Sequence, residues 1–250
     1  MANSVERAVG IDIGGTGMKA GIVDLVKGEL ASDRVRIPTP DGAKPKDVLA
    51  TVKELIDKLG PDAADLSVGI CFPTIVKNGR TLSAANVSKK WLDFEADAFF
   101  EKGLGKPIHF VNDADAAGLA ELRFGGAKDQ PGLTILTTLG TGIGGALLFD
   151  GKLVPNAELG HLQWNGDSIE KYAATSARER ENLSWEEWAG RLQEFYNHLE
   201  FLFSPDLILV GGGVSKNPEK FLPLIKTRAD LRVATHANNA GIIGAASLAL

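Results

Sequence analysis

Residues 8–24, AVGIDIGGTGMKAGIVD, and residues 133–154, LTILTTLGTGIGGALLFDGKLV, follow one plan. Each has an apolar run, a turn rich in Gly and Thr, and a second apolar run, which is the pattern of strand, tight turn and strand. Gly14, Gly15 and Gly17 supply backbone freedom in the first turn, and Asp150-Gly151 closes the second hairpin. A plan repeated half a chain later predicts two similar lobes that face each other across a cleft.

Between and beyond the hairpins, strand and helix patterns mix, so the fold class is α/β. In PKDVLATVKELIDKLG, Val48, Leu49, Val52, Leu55, Ile56 and Leu59 share one helical face, and Gly60-Pro61 is the stop. DLSVGICF and PIHFVND read as strands, the latter leading into a helix over ADAAGLAELRFGG. Ser184 and Glu187 form a capping box for a helix whose inner stripe is Trp185, Trp188, Leu192, Phe195, Leu199 and Leu202, read here as core. Pro205 ends that helix, DLILVGGGV is a buried strand running into a Gly turn, and NPEKFLPLIK predicts a further helix.

The chain of 250 residues is long enough for one large domain or two modest ones without staples. A net charge of -5 argues against a general nucleic-acid binder, which needs a broad basic surface. Cys71, the single cysteine, cannot form an internal disulfide or a cysteine-rich zinc site, and its setting is that of a buried strand residue. Charges in MANSVERAVG stand where a signal peptide has its apolar run, so a cytoplasmic location is expected. The uncharged stretch 132–149 carries five glycines and four threonines, which makes it a poor membrane span.

Five segments carry chemistry. Asp12, Gly14, Gly15, Thr16 and Lys19 can cradle phosphates with backbone N–H groups, a hydroxyl and a cation, with Asp12 holding Mg2+ through water; a plain glycine hairpin is the competing reading. Gly140, Thr141 and Gly142 belong to a G-x-G-x-x-G match, but a strand follows where a dinucleotide site needs a helix. Two such loops instead suggest a grip on one phosphate chain. Asp113, fixed by Asn112 at a strand end, can take a hydroxyl proton, although on its own it reads first as the N-cap of the next helix. Glu158, His161 and Glu170 supply the paired donors and acceptors that sugar hydroxyls need; a lone His on a short turn is usually structural.

Asn86, beside Lys89, Lys90 and Trp91, can contact a sugar or an anionic donor, or belong to a solvated loop. Gly212 and Gly213 would let adenine approach the backbone, or serve an ordinary turn; His109, His198 and His236 have no partner visible in sequence.

The ordered set GIDIGGTGMK, AANVSKKW, FVNDADAAGLAE, TTLGTGIGGAL, AELGH and LILVGGG resembles the ROK family of bacterial sugar kinases and sugar-responsive repressors, across nearly the whole chain. The resemblance implies a two-lobed actin-like ATPase fold of ribonuclease-H-like topology with a central cleft, a small lobe of residues 1–112 plus 239–250 and a large lobe of 113–238. It implies a hexokinase-type phosphotransferase acting on the 6-hydroxyl of glucose, with mannose a second candidate. Asp113 would be the base, and Asn86, Asn112, Glu158, His161 and Glu170 would hold the sugar. Gly14 to Thr16, Lys19 and Gly140 to Gly142 would hold the donor phosphates, with Mg2+. Residues 162–169, LQWNGDSI, lack the cysteines of the zinc loop common in the family, so no zinc is expected and the polyphosphate-using branch is favoured, with ATP as the other donor. The chain begins almost at the first loop, so no DNA-binding helices are expected; a homodimer is open, since many members are dimers. A non-catalytic sugar sensor and an actin-like ATPase switch are the rival functions.

Overall fold

The computed structural model describes residues 6–84 and 87–250. Its contacts divide the chain into two compact units, the first running to Ala120 and including Asn239–Leu250, the second Glu121–Asn238. The division falls eight residues beyond the boundary expected at 112/113, inside one helix.

In the first unit, β1 (Arg7–Ile13) and β2 (Met18–Asp24) form the antiparallel hairpin read from the sequence, in register from Arg7↔Asp24 to Ile13↔Met18. Short β3 (Glu29–Leu30) and β4 (Val35–Ile37) pair with β2. After α1 (Pro45–Leu59), β5 (Val68–Phe72) lies parallel to β1. A small sheet of β6 (Val76–Lys77), β7 (Arg80–Thr81) and β8 (Phe94–Glu95) leads to α2 (Ala96–Leu104), β9 (Ile108–Asn112) parallel to β5, and α3 (Asp113–Phe124). The main sheet runs β3-β2-β1-β5-β9.

The second unit repeats this path. β10 (Leu133–Leu139), β11 (Ile143–Phe149) and β12 (Lys152–Val154) form the antiparallel meander. The two-residue strands β13 (Gln163–Trp164) and β14 (Asp167–Ser168), then α4 (Glu170–Ala173), α5 (Thr175–Glu181) and α6 (Trp185–Phe203), precede the parallel strands β15 (Leu207–Gly211) and β16 (Asp230–Val233). The order β12-β11-β10-β15-β16 matches the first sheet strand for strand, so the duplication extends beyond the hairpins that announced it.

The last helix, α7 (Ala240–Ala246), packs on the first unit's sheet. Glycines permit that approach: a Cβ on Gly10 would fall on the Ile242 carbonyl and one on Gly69 on that of Ala245. The first core gathers Phe72, Trp91, Phe100 and Phe110, whose rings meet tilted, stacked or edge-on, contacts worth about 0.5–1.5 kcal/mol each beyond area burial. Trp91 is wholly buried and its Nε1 donates to the Ala43 carbonyl at 2.6 Å, so it belongs to this core. In the second core Trp188, Phe195, Tyr196 and Phe221 are buried, with the Tyr196 hydroxyl 3.0 Å from Thr137 Oγ1.

Two expectations need correction. Residues 217–226 form 3-10 turns over Pro218–Lys220 and Leu222–Leu224 and no α-helix, because Pro223 lacks the N–H an α-helix requires there. Leu202 is exposed: α6 outlasts its core in the final turn. The capping box is present, with Ser184 Oγ accepting Glu187 N–H at 3.1 Å and Glu187 returning to Ser184 N–H at 2.8 Å. Among the described residues, no helix is long and apolar enough to cross a membrane.

Candidate active site

The turn between β1 and β2 closes on itself. Gly14 N–H donates to the Gly17 carbonyl at 3.1 Å, and Thr39 Oγ1 donates to the Gly14 carbonyl at 2.6 Å. Gly15 and Thr16 are exposed, and a Cβ on Gly15 would meet no protein atom within 4 Å, so packing does not explain the missing side chain. Gly17 is different, because a Cβ there would stand 2.7 Å from Arg36 Nε. Strand register sets Asp12 opposite Lys19 on one side and Cys71 on the other. Lys19 Nζ lies 2.7 Å from Asp12 Oδ2, and Cys71 Sγ is 3.7 Å from Asp12 Oδ1 and 3.5 Å from the Gly241 carbonyl. Burial pushes the Cys71 thiol well up, and the charges of Asp12 and Asp113 add to it, so this sulfur is an inert core atom.

At the end of β9, Asn112 is buried and Asp113 exposed. Asn112 Oδ1 accepts the N–H groups of Ala114 at 2.8 Å and Asp115 at 3.1 Å, while Nδ2 donates to the Thr74 carbonyl at 3.0 Å. Asn112 is therefore the N-cap, correcting the assignment of that role to Asp113. Asp113 sits in the first turn of α3, where the helix dipole favours a carboxylate, and its Oδ1 accepts Ala114 N–H at 2.9 Å.

In the second unit the β10–β11 turn is held from α4 and α5. Gly140 N–H donates to the Gly142 carbonyl at 3.0 Å. Ser176 donates its N–H to the Gly140 carbonyl at 3.1 Å and its hydroxyl to the Thr141 carbonyl at 2.6 Å. Glu170 Oε2 accepts Ile143 N–H at 3.1 Å, close enough that a Cβ on Gly142 would strike that carboxylate. A Cβ on Gly140 would again meet nothing. Gly212 has φ +86° and sits against the Leu139 backbone, which accounts for its glycine by packing, whereas Gly213 is open.

His161, on the turn Leu159–His161, stands between two carboxylates, with Nε2 3.8 Å from Glu158 Oε2 and Nδ1 3.9 Å from Glu170 Oε1. Partial burial raises the Glu158 carboxyl above its ordinary range, with Glu170's charge adding and His161 opposing. The second unit thus brings Glu158, His161, Glu170 and the Gly140–Gly142 turn together, as the first brings Asp12, Lys19 and the Gly14–Gly17 turn. Asn86 lies outside the described residues; Lys89 and Lys90 are exposed. Among the described residues, no group of three or more His, Cys, Asp or Glu could hold a metal ion. A single carboxylate at Asp12 fits Mg2+, which keeps most of its waters and takes the rest of its shell from substrate phosphates.

Beside the second turn is a concave site of ≈ 470 Å³ whose wall includes Gly140, Thr141 and Gly213. It also includes Thr175, Arg178, Trp185 and Asn217, which the sequence reading missed. TSARERE has the composition of a solvated helix, and Trp185 falls on the same stripe as the buried Trp188.

Two α/β units of one topology, each ending its hairpin in an open Gly/Thr turn, are the architecture of the actin-like ATPase fold. Within that class the chain belongs to the ROK family, whose model matches residues 8–175. It is 40% identical to a polyphosphate glucokinase of Mycobacterium tuberculosis (strain CDC 1551 / Oshkosh), over 98% of this chain and 92% of that one. The crystal structure of an inorganic polyphosphate/ATP-glucomannokinase from Arthrobacter sp. strain KM is similar at a TM-score of 0.92 and 50% identity, covering 96% of each chain. A ROK family glucokinase from Streptomyces griseus, in complex with glucose and AMPPNP, is similar at a TM-score of 0.81 and 25% identity, covering 97% of this chain and 98% of that one.

Proposed function

We propose that this protein is a hexose kinase that moves a phosphoryl group from inorganic polyphosphate or ATP to the 6-hydroxyl of glucose. The observation that carries this reading is the bond from Ile143 N–H to Glu170 Oε2: a carboxylate of the Glu158, His161 and Glu170 group is bonded directly to the end of the Gly140–Gly142 turn. A sensor has no use for that coupling, and a protein-directed ATPase switch has no use for the Glu158, His161 and Glu170 group. The relatives from Mycobacterium and Arthrobacter, named for polyphosphate and ATP, support the two donors.

In this reading Glu158, His161 and Glu170 exchange hydrogen bonds with sugar hydroxyls and Asn86 adds to that set, while Asn112, expected among the sugar contacts, has its amide engaged by the α3 cap and Thr74 and positions Asp113 instead. Asp113 accepts the proton of the 6-hydroxyl as the new O–P bond forms and the bridging O–P bond of the donor breaks. The backbone N–H groups of Gly14 to Thr16 and Gly140 to Gly142, with Lys19 and Gly213, hold the donor. Asp12 would hold Mg2+ through water, and that ion would supply charge neutralisation on the phosphates. Mannose is proposed as a second acceptor from the Arthrobacter glucomannokinase; a homodimer is proposed from the family resemblance, and a cytoplasmic location from the sequence reading.

The test is glucose-dependent consumption of long-chain polyphosphate and of ATP. A kinase consumes at least one donor only when sugar is present. A sensor consumes neither, and a switch hydrolyses ATP without sugar.

A further inference from the structure

Arg178 stands out in the wall of the concave site beside the Gly140–Thr141 turn. The other arginines near it are paired: Arg180 on the same helix and Arg191 on α6 both bond Glu181, at 2.6 and 2.5 Å. Arg178 has no such partner, and its buried Nε–H reaches no acceptor among the described residues. The hydroxyl of Thr175, in the same wall, is also buried without a partner. A buried polar atom left unpaired is unfavourable and calls for an explanation, a bound ion or ligand beside it among them.

The chemistry of that ligand follows from what else lines the site. Arg178 is the one cation among the lining residues, and its guanidinium carbon lies 3.8 Å from the centroid of the Trp185 ring. Trp185 also stacks on Phe221, with centroids 6.1 Å apart and planes at 18°. The aromatic surface is thus already engaged, and the site offers a planar cation and hydroxyls in its place, beside one carboxylate, Glu179. A guanidinium held over an indole is pre-organised for the oxygens of a phosphate.

We propose that Arg178, with Thr175, binds a phosphate of the donor chain further along than the one held by the Gly140–Thr141 turn. The proposal rests on the kinase reading and adds a donor-binding residue to it. Inorganic polyphosphate and the phosphates of ATP share this chemistry, and kinetics with each donor separate them.

The variants are Arg178→Met, which keeps an apolar stem on Trp185, and Arg178→Lys, which keeps the charge. Arg178→Met is expected to raise the donor KM about 10- to 100-fold, the size of a lost charge-assisted contact, while glucose KM stays put and Arg178→Lys recovers part of the loss. A rise for polyphosphate alone places the contact beyond the third phosphate, and a rise for both donors places it within the triphosphate; either supports the proposal. Unchanged donor KM values, or a glucose KM that moves equally, overturn it, even if the melting temperature falls. Calorimetric titration with inorganic tripolyphosphate in the absence of sugar reads the contact without turnover. Failure to phosphorylate glucose would therefore sink the kinase reading while a titration difference between wild type and Arg178→Met left this one standing.

Discussion

The side-chain oxygen of Asn112 accepts the backbone N–H of Asp115 at 3.1 Å, and this bond decides how labour divides at the start of α3. Capping is done by the buried amide, whose nitrogen is also spent on the Thr74 carbonyl. Asp113 is released from that duty and stands exposed in the first turn of α3, at the helix end whose dipole favours negative charge. A base needs this condition: a charged, accessible carboxylate on a rigid element.

Asp113→Asn should therefore lower kcat by about 10²- to 10⁴-fold, the usual worth of a general base, with little change in glucose KM. Turnover near the wild-type rate would remove Asp113 from the mechanism.

Asn112→Ala removes the cap and orphans a buried carbonyl. The cap alone predicts a loss of about 1 kcal/mol, read as a lower urea midpoint at unchanged slope. Because α3 then frays under Asp113, kcat should fall as well. A variant with full stability and reduced kcat would mean that Asn112 acts on substrate and not through the helix.

Much of this was legible in the sequence. The hairpins could be read because two short apolar runs joined by a turn of Gly and Thr have few other solutions, and the Ser184 capping box because its two bonds are local. The division of roles between Asn112 and Asp113 was not, since both residue types cap well and only the backbone's entry into α3 chooses between them. Arg178 was missed for a similar reason. One helix carries a paired and an unpaired arginine, each followed by a glutamate, and only the fold decides that Glu181 bonds Arg180 while Arg178 lies over the Trp185 ring of α6. The helix expected over 217–226 failed because Pro223 stands where an α-helix needs a backbone N–H.

The open glycines give a test that separates ligand from packing. Gly15→Ala and Gly140→Ala place a methyl where the protein has no atom within 4 Å, so stability should change by no more than about 0.5 kcal/mol. If donor phosphates approach these backbones, kcat/KM for the donor should fall on the order of 10- to 100-fold in the same variants. Gly212→Ala should do the opposite, destabilising by more than about 1 kcal/mol because of its positive φ and the Leu139 backbone behind it. Unaltered donor kinetics in both Gly15→Ala and Gly140→Ala would show these turns to be plain hairpins.

Glu158 predicts a pH dependence of known sign. Burial raises its carboxyl above the ordinary glutamate value of 4.5, the charge of Glu170 pushing the same way and His161 against it. The folded state then binds this proton more tightly than the unfolded chain, so stability falls as pH rises from the ordinary glutamate range through the raised folded value. Glu158→Gln cannot ionise and escapes that loss. Urea midpoints measured from below pH 4.5 up into the neutral range should show the variant gaining on wild type as pH rises and losing that gain in acid. Glucose KM should meanwhile rise in the variant, because an amide replaces an acceptor offered to the sugar. Parallel stability curves across the whole range would mean that Glu158 is fully solvated in the folded protein, and a carboxylate so placed would have no dry surface from which to read a hydroxyl.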